Sequence, residues 1–334
     1  MRRATGFPVT LYIFQMPANK PSRLLVVLAF AAVYILWGST YLGIRLAIET
    51  LPGFLMAGTR FTLAGAILLT WSRLIKRERF VWSRDQWQKA LIVGGLLLLC
   101  GNGAVTWAEK YVATSLAALL VATEPLWVVI LNWILTRRRP NSLVLLGILI
   151  GLAGVTLLVS DGLSRGNGNS WLSLIGGGVV ILAGFAWAAG SVFSSRQPIA
   201  ASTSMASGMQ MVSGGFLLLL LAIGTGDIFR LNLAKVSWTS IGAFFYLLVF
   251  GSLVGFTAYS WLLINVTPAM ATTYAYVNPV VAVFLGWLIA GEPLTPRMLL
   301  AAAVIVSSVV LITTFSREPG PAIHDSQCPT PPCA

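Results

Sequence analysis

Ten Asp and Glu side chains are spread over 334 residues, and one of them, Glu124, falls inside an apolar run and is followed by Pro125. Twelve residues into that run, at 1.5 Å rise per residue, Glu124 lies about 18 Å deep. An acidic side chain at that depth costs about 2.5–3.5 kcal/mol to insert. Ionisable groups kept inside a membrane mark sites and pathways, so Glu124 is expected to hold a cation, a proton or a polar group of a substrate. Pro125 lacks an N–H and pushes residue 124 away from the helical region, which predicts a kink with freed backbone groups. The plainer alternative is a packing kink in which Glu124 bonds a backbone carbonyl. Asn278-Pro279 repeats the arrangement, with Tyr274 one helical turn before Asn278 and on the same face.

A second set of polar residues lies nearer the ends of its runs. Arg60 lies about 9 Å below one end of its run; it either reaches toward Glu124 or snorkels outward along its own stem. Gln210 is its counterpart from the opposite end, which predicts an outer and an inner polar layer around the centre. Tyr34, Trp37, Tyr41 and Arg45 follow helical spacing and form one stripe. Trp37 and Tyr41 suit the wall of a pocket for an aromatic or cationic group, or plain core packing. Asn102, Thr106 and Glu109 make a polar face on another run. Trp107 and Trp261 read either as bulky gates or as packing residues.

These residues need elements that hold them in a membrane. The chain is 57% apolar and 10% charged, with mean hydropathy +0.84, against roughly 25% charged for a soluble domain. Apolar runs of about 18 or more residues read as spanning helices. Ten such spans are predicted, at 24–46, 54–75, 88–108, 112–135, 142–160, 172–194, 202–223, 238–260, 267–290 and 296–315. The result is an all-α membrane protein with no room for a sizeable soluble domain. Residues 1–23 read as a cytoplasmic extension, because Pro8 and Pro17 break the apolar stretch a signal peptide would need; Met16 is an alternative start. Residues 316–334 form a Pro-rich tail expected to be disordered, carrying His324, Cys328 and Cys333; a disulfide would be rare on a cytoplasmic tail.

The net charge of +12 could suggest nucleic acid, but Lys and Arg gather in short loops instead. With the N-terminus inside, fifteen fall on the inner side and five on the outer, leaving Arg45 and Arg60 within spans. That bias predicts a multi-pass protein of the inner membrane with both termini in the cytoplasm and no nucleic-acid partner.

An internal repeat runs through the chain. Residues 56–70 align with 206–220 at a shift of 150, which also relates Trp37 to Trp187. Trp107 and Trp261, Val112 and Val266, Pro125 and Pro279, and Trp133 and Trp287 match at a shift of 154. Each copy holds five spans, an odd number, so the second must insert upside down as an inverted repeat. The copies are 24–160 and 172–315, joined by a linker at 161–171. Gly147 and Gly151 form a GxxxG for close helix packing, within the bundle or at a homodimer contact.

WGSTYLGIRLA at 37–47, GNGAVTWAEKYVATSLAALLVATEPLW at 101–127 and YAYVNPVVAVFLGWLIAGEPL at 274–294 resemble the EamA-type drug/metabolite transporter superfamily. The resemblance covers residues 24–315 in both copies. It implies two inverted five-helix halves that move small metabolites, often amino acids or drugs outward, by alternating access through a central cavity. Where the family often carries Gly-Glu after the fourth span, as at Gly291-Glu292 after the ninth, this chain has Thr136-Arg137-Arg138-Arg139.

The function expected is therefore a secondary exporter with a small-molecule substrate. If the ligand is zwitterionic, Arg60 meets its carboxylate and Glu124 its ammonium; Glu124 is also the candidate for proton coupling. The alternative is a membrane-embedded enzyme acting on lipid or peptide. It needs a nucleophile with a base or a set of metal ligands, and the sequence has one His and no HExxH. No GxxxxGK[ST] loop occurs, so neither nucleotide nor any other cofactor or metal is expected.

Overall fold

In lipid every backbone N–H and C=O must be satisfied within its own segment, so long apolar runs become helices. The computed structural model describes residues 22–78, 83–112, 117, 120–163, 171–197, 199–200, 202–290 and 295–316. Among these the secondary structure is helical, with no strand. The helices are α1 (Arg23–Ile48), α2 (Gly53–Leu74), α3 (Arg84–Ala108), α4 (Glu124–Thr136), α5 (Ser142–Leu163), α6 (Trp171–Arg196), α7 (Thr203–Gly224), α8 (Trp238–Asn265), α9 (Tyr274–Ala290) and α10 (Pro296–Phe315), with a single turn at Pro268–Ala271. Hydroxyl caps start several of them. Ser22, Ser202, Ser237 and Thr295 accept from the backbone N–H three residues on, at 3.1–3.3 Å, which satisfies one of the orphan donors there.

Among the described residues seven helices are long and apolar enough to cross a membrane: α1, α2, α3, α6, α7, α8 and α10. α4 and the stretch Ser142–Leu157 of α5 are apolar but shorter. Two stretches expected as single spans are divided. The stretch 112–135 has a turn at Ala122–Thr123, and 267–290 has one at Thr272–Thr273. The extension 1–21, linker residues 164–170, Gly291–Glu292 and the tail from Arg317 lie outside the described residues.

Small residues bring the helix backbones into contact. On α2, a Cβ added at Gly65 would lie 2.7 Å from the Gly208 carbonyl of α7, and one at Gly215 of α7 would lie 3.0 Å from the Gly58 carbonyl. α5 seats on α10 in the same way: a Cβ at Gly151 would lie 2.8 Å from Ser308 Oγ, and one at Gly154 would lie 2.8 Å from Ile305. The GxxxG thus packs within the chain. α3 lies against α6 and α7, with Gly101 under Trp187 and Gly94 against the Gln210 carbonyl. α1 lies against α8 and α9 through Gly43 on Leu247 and Gly38 on Val281. Outward faces carry exposed Leu, Ile and Phe, among them Leu28, Ile35, Leu42, Ile67, Leu149 and Phe284.

α3 and α8 each contain a π-helical stretch, Gly95–Gly103 and Leu247–Phe256. A run of i→i+5 bonding of this length is unusual, and π segments are commonly found at functional sites. Each run holds, near its end, a glycine that abuts a tryptophan: Gly101 on Trp187, and Gly255 on Trp37.

Candidate functional site

Where α1, α2, α3, α4, α6, α8 and α9 meet, a cavity of about 90 Å³ opens inside the bundle. The break at Ala122–Thr123 puts Glu124 at the first position of α4, with Pro125 in the first turn, where its missing N–H costs nothing. Pro125 therefore starts a helix instead of kinking one. Pro279 lies inside α9, and the chain bends seven residues earlier, at Thr272–Thr273. These hydroxyls turn back onto the Pro268 and Met270 carbonyls at 3.0 and 2.7 Å.

Glu124 is buried. Its Oε2 accepts from the Tyr274 hydroxyl at 2.6 Å, and its Oε1 has no partner. Around that pair sits an aromatic cluster. Trp37 lies with ring centroids 4.8 Å from Tyr274, 4.9 Å from Tyr259 and 5.5 Å from Trp187. The Trp37 indole N–H donates to the Gly251 carbonyl in the π stretch of α8 at 3.0 Å. Tyr259 is held by Ser191 at 2.6 Å and by the Trp187 indole N–H at 3.2 Å, so its hydroxyl is occupied. Asn278 is buried with its Oδ1 unpartnered, and Tyr41 lines the same cavity.

Arg60 neither snorkels nor pairs with Glu124. It is only 3% exposed and donates through Nη2 to Asn102 Oδ1 at 3.2 Å. Its guanidinium carbon lies 4.2 Å over the Phe61 ring, a cation–π contact, and its Nε has no partner. Among the described residues no ion pair involves either Arg60 or Glu124; the ion pairs found are Lys89–Asp85 and Arg230–Asp227. A basic and an acidic side chain thus line one small cavity, each with an unused hydrogen-bonding atom.

Seven of the ten substrate-binding or gating residues singled out by the sequence line this cavity: Glu124, Asn278, Tyr274, Arg60, Trp37, Tyr41 and Asn102. Gln210 does not. It is buried between α7 and α6, with Nε2 3.4 Å from Ser194 Oγ. Trp107 stacks on Tyr111 at 5.0 Å, and Trp261 packs against the apolar core; neither faces the cavity. Trp187, Gly251 and Phe256 line it unannounced. Trp187 was legible as the partner of Trp37 at a shift of 150, whereas the other two depend on the π stretch of α8, which has no sequence signature.

Glu109 caps α3 beyond the membrane-length helix. Both its carboxylate oxygens are buried and unpartnered. Burial pushes its carboxyl up to about 8, with the charge of Arg45 acting in the opposite direction.

On the other side of Glu124 lies a larger cavity of about 820 Å³ at the ends of α4, α6, α8 and α10. Five residues along α4 separate Glu124 from Val129 at its edge, about 7.5 Å. Along the elements that line both cavities, Val128, Ala188, Ser191, Val192, Thr272 and Thr273 fall between the two sets of lining residues, and all are buried. Tyr34 braces this layer by a 2.6 Å hydrogen bond to Thr273.

Comparison with known proteins agrees with this architecture. The EamA-like transporter family matches residues 24–160 and again 174–314. YedA of Escherichia coli K12, described as an uncharacterized inner membrane transporter, is 40% identical over 306 residues, covering 89% of this chain and 95% of its own. YoaV of Bacillus subtilis, described as an uncharacterized transporter, is 26% identical over 298 residues, covering 88% and 98%. A crystal structure 20% identical in sequence superposes with a TM-score of 0.69, over 88% of this chain and 99% of that one, and shares the fold. The chain belongs to the EamA-like transporter family.

Proposed function

We propose that this membrane transporter is a secondary carrier that exports small metabolites, amino acids or drug-like compounds, by alternating access through the central cavity. The carrying observation is that a basic and an acidic side chain, Arg60 and Glu124, are buried on the walls of one cavity without pairing with each other. Buried charges without a counterion are costly. A ligand carrying both a carboxylate and an ammonium supplies both counterions, and the aromatic cluster of Trp37, Tyr259 and Tyr274 suits an amine or an aromatic group.

The carrier is read as ten spans in two inverted five-helix repeats, 24–160 and 172–315, with a linker at 161–171. Contacts support this reading. At the shift of 150, Gly58 corresponds to Gly208 and Gly65 to Gly215, and the observed contacts are Gly65 with Gly208 and Gly58 with Gly215. Residue i touching the partner of j, while j touches the partner of i, is the mark of a two-fold axis. Gly151 with Ser308 and Gly154 with Ile305 are reciprocal at the shift of 154, and Trp37 touches its own counterpart Trp187. On such an axis the crossing point of α2 and α7 falls between Phe61 and Thr62. Arg60 then lies about 2 Å from the midplane, which merges the two expected polar layers into one. The basic loops favour cytoplasmic termini in the inner membrane, with the 820 Å³ cavity on the cytoplasmic side and the layer around Thr273 as the closed inner barrier.

The test is counterflow uptake in liposomes with wild-type and Glu124→Gln protein, across amino acids and cationic drugs. Saturable flux by the wild type is expected. The variant keeps an acceptor for the Tyr274 hydroxyl but loses the charge, and should lose flux by roughly 10–100-fold, the worth of a hydrogen bond to a charged group. Flux equal in both proteins would remove Glu124 from the path.

A further inference from the structure

The 820 Å³ cavity is built as a site in its own right. Its volume falls in the range of small-molecule pockets. Arg138, from the loop after α4, and Arg196, in the last turn of α6, both line it, and no carboxylate does among the described residues. Arg196 donates through Nη2 to Asn132 Oδ1 at 2.9 Å, which orients the guanidinium. No other hydrogen bond from it is found among the described residues, so further donors of that planar group remain for a ligand. Asn141 and Asn265 add amide groups to the wall. Ser316 lines it as well, buried, with a hydroxyl that has no partner.

Positive-inside loop charge and the helix C-termini account for arginines near this face. They do not account for two arginines, an oriented guanidinium and an unsatisfied buried hydroxyl around a single cavity without a balancing acid. A concave wall of one sign raises the local concentration of its counterion, and arginine is the side chain suited to a planar carboxylate.

We propose that this vestibule is an anion-loading site, which holds the acid group of a small organic solute between Arg138 and Arg196 before it passes to the central cavity. That role rests on the carrier reading above; the anion preference itself does not. The next cation on the path is Arg60, beyond the buried layer of Val128 and Thr273. A substrate with a carboxylate can thus be handed from one guanidinium site to another, while its ammonium group finds Glu124.

The test uses the full-length chain with Cys100, Cys328 and Cys333 replaced by Ser and a single probe thiol introduced as Ser195→Cys at the cavity wall. Modification rates with a sulfonate-bearing and a trimethylammonium-bearing methanethiosulfonate are normalised to those of a free small thiol. The sulfonate reagent should be favoured about tenfold or more. The preference should collapse in Arg138→Gln/Arg196→Gln and survive in Arg138→Lys/Arg196→Lys, which separates charge from misfolding. Millimolar succinate should slow modification by a neutral methanethiosulfonate, and equal choline should not, in nanodiscs of zwitterionic lipid and in nanodiscs containing anionic lipid. Equal rates for the two charged reagents, or choline protecting as well as succinate, would overturn the proposal. So would protection that comes only from anionic lipid, which would make the cavity a headgroup site. None of these readings needs transport, so a failure here leaves the carrier reading to its own flux test.

Discussion

Glu124 and Arg60 are the residues on which a transport cycle would turn, and both are held by neutral partners that leave part of each group's hydrogen-bonding capacity unused. Tyr274 takes one oxygen of Glu124, and Asn102 takes one nitrogen of Arg60. Both were legible from polarity inside an apolar run. Their partners were legible only in part: Tyr274 and Asn102 stood out by helical spacing, but nothing in the sequence joined Tyr274 of one repeat to Glu124 of the other. Glu109 makes a prediction at this scale. Its carboxyl titrates at about 8 in the folded protein against an ordinary 4.5, so between these values the native state holds a proton that the unfolded chain has released. Stability from this group is then present in full below about pH 4.5 and is lost as the pH rises to about 8. Thermal unfolding of purified Glu109→Gln should therefore gain on the wild type as the pH is raised from 5 to 8, with the difference flat above. A difference independent of pH would show that Glu109 is ionised throughout.

At the scale of elements, apolar length found the seven helices long enough to cross a membrane, and the Gly147 and Gly151 spacing marked one seam, that of α5 on α10. The breaks at Ala122–Thr123 and Thr272–Thr273 were harder to read. Pro125 carried the right signal, since proline favours the first turn of a helix, but a long apolar run invited reading it as a kink. Thr272 and Thr273 end a helix by bonding their own upstream carbonyls, a competition any Thr pair can make and few do. The π stretches of α3 and α8 depend on tertiary contacts at Gly101 and Gly255 and have no local pattern. The α2–α7 seam makes the prediction here. A Cβ at Gly215 would meet the Thr62 backbone nitrogen at 2.6 Å, whereas one at Gly178 meets nothing within 4 Å. Gly215→Ala should cost about 1–3 kcal/mol through overpacking, read as a lowered Tm in detergent. Gly178→Ala should leave Tm unchanged or slightly raised, since Ala favours the helix. Equal behaviour of the two would mean that the helices separate freely at this seam.

For the whole molecule, reciprocal contacts, a narrow central cavity and a wider second cavity beyond a buried layer are the features on which the proposed carrier rests. The repeat was visible as tryptophans and prolines on two constant shifts, while the cavity between the halves required the helices to be assembled. The most direct measurement is counterflow of three related solutes through wild-type, Arg60→Gln and Glu124→Gln protein: a free amino acid, its methyl ester and its N-acetyl form. Two opposite charges on one wall predict that the wild type prefers the free amino acid by roughly tenfold or more over either derivative. Arg60→Gln should erase the preference over the ester, which lacks the carboxylate. Glu124→Gln should erase the preference over the acetyl form, which lacks the ammonium. Wild-type flux indifferent to all three solutes, or both variants losing all three alike, would contradict a bipolar site.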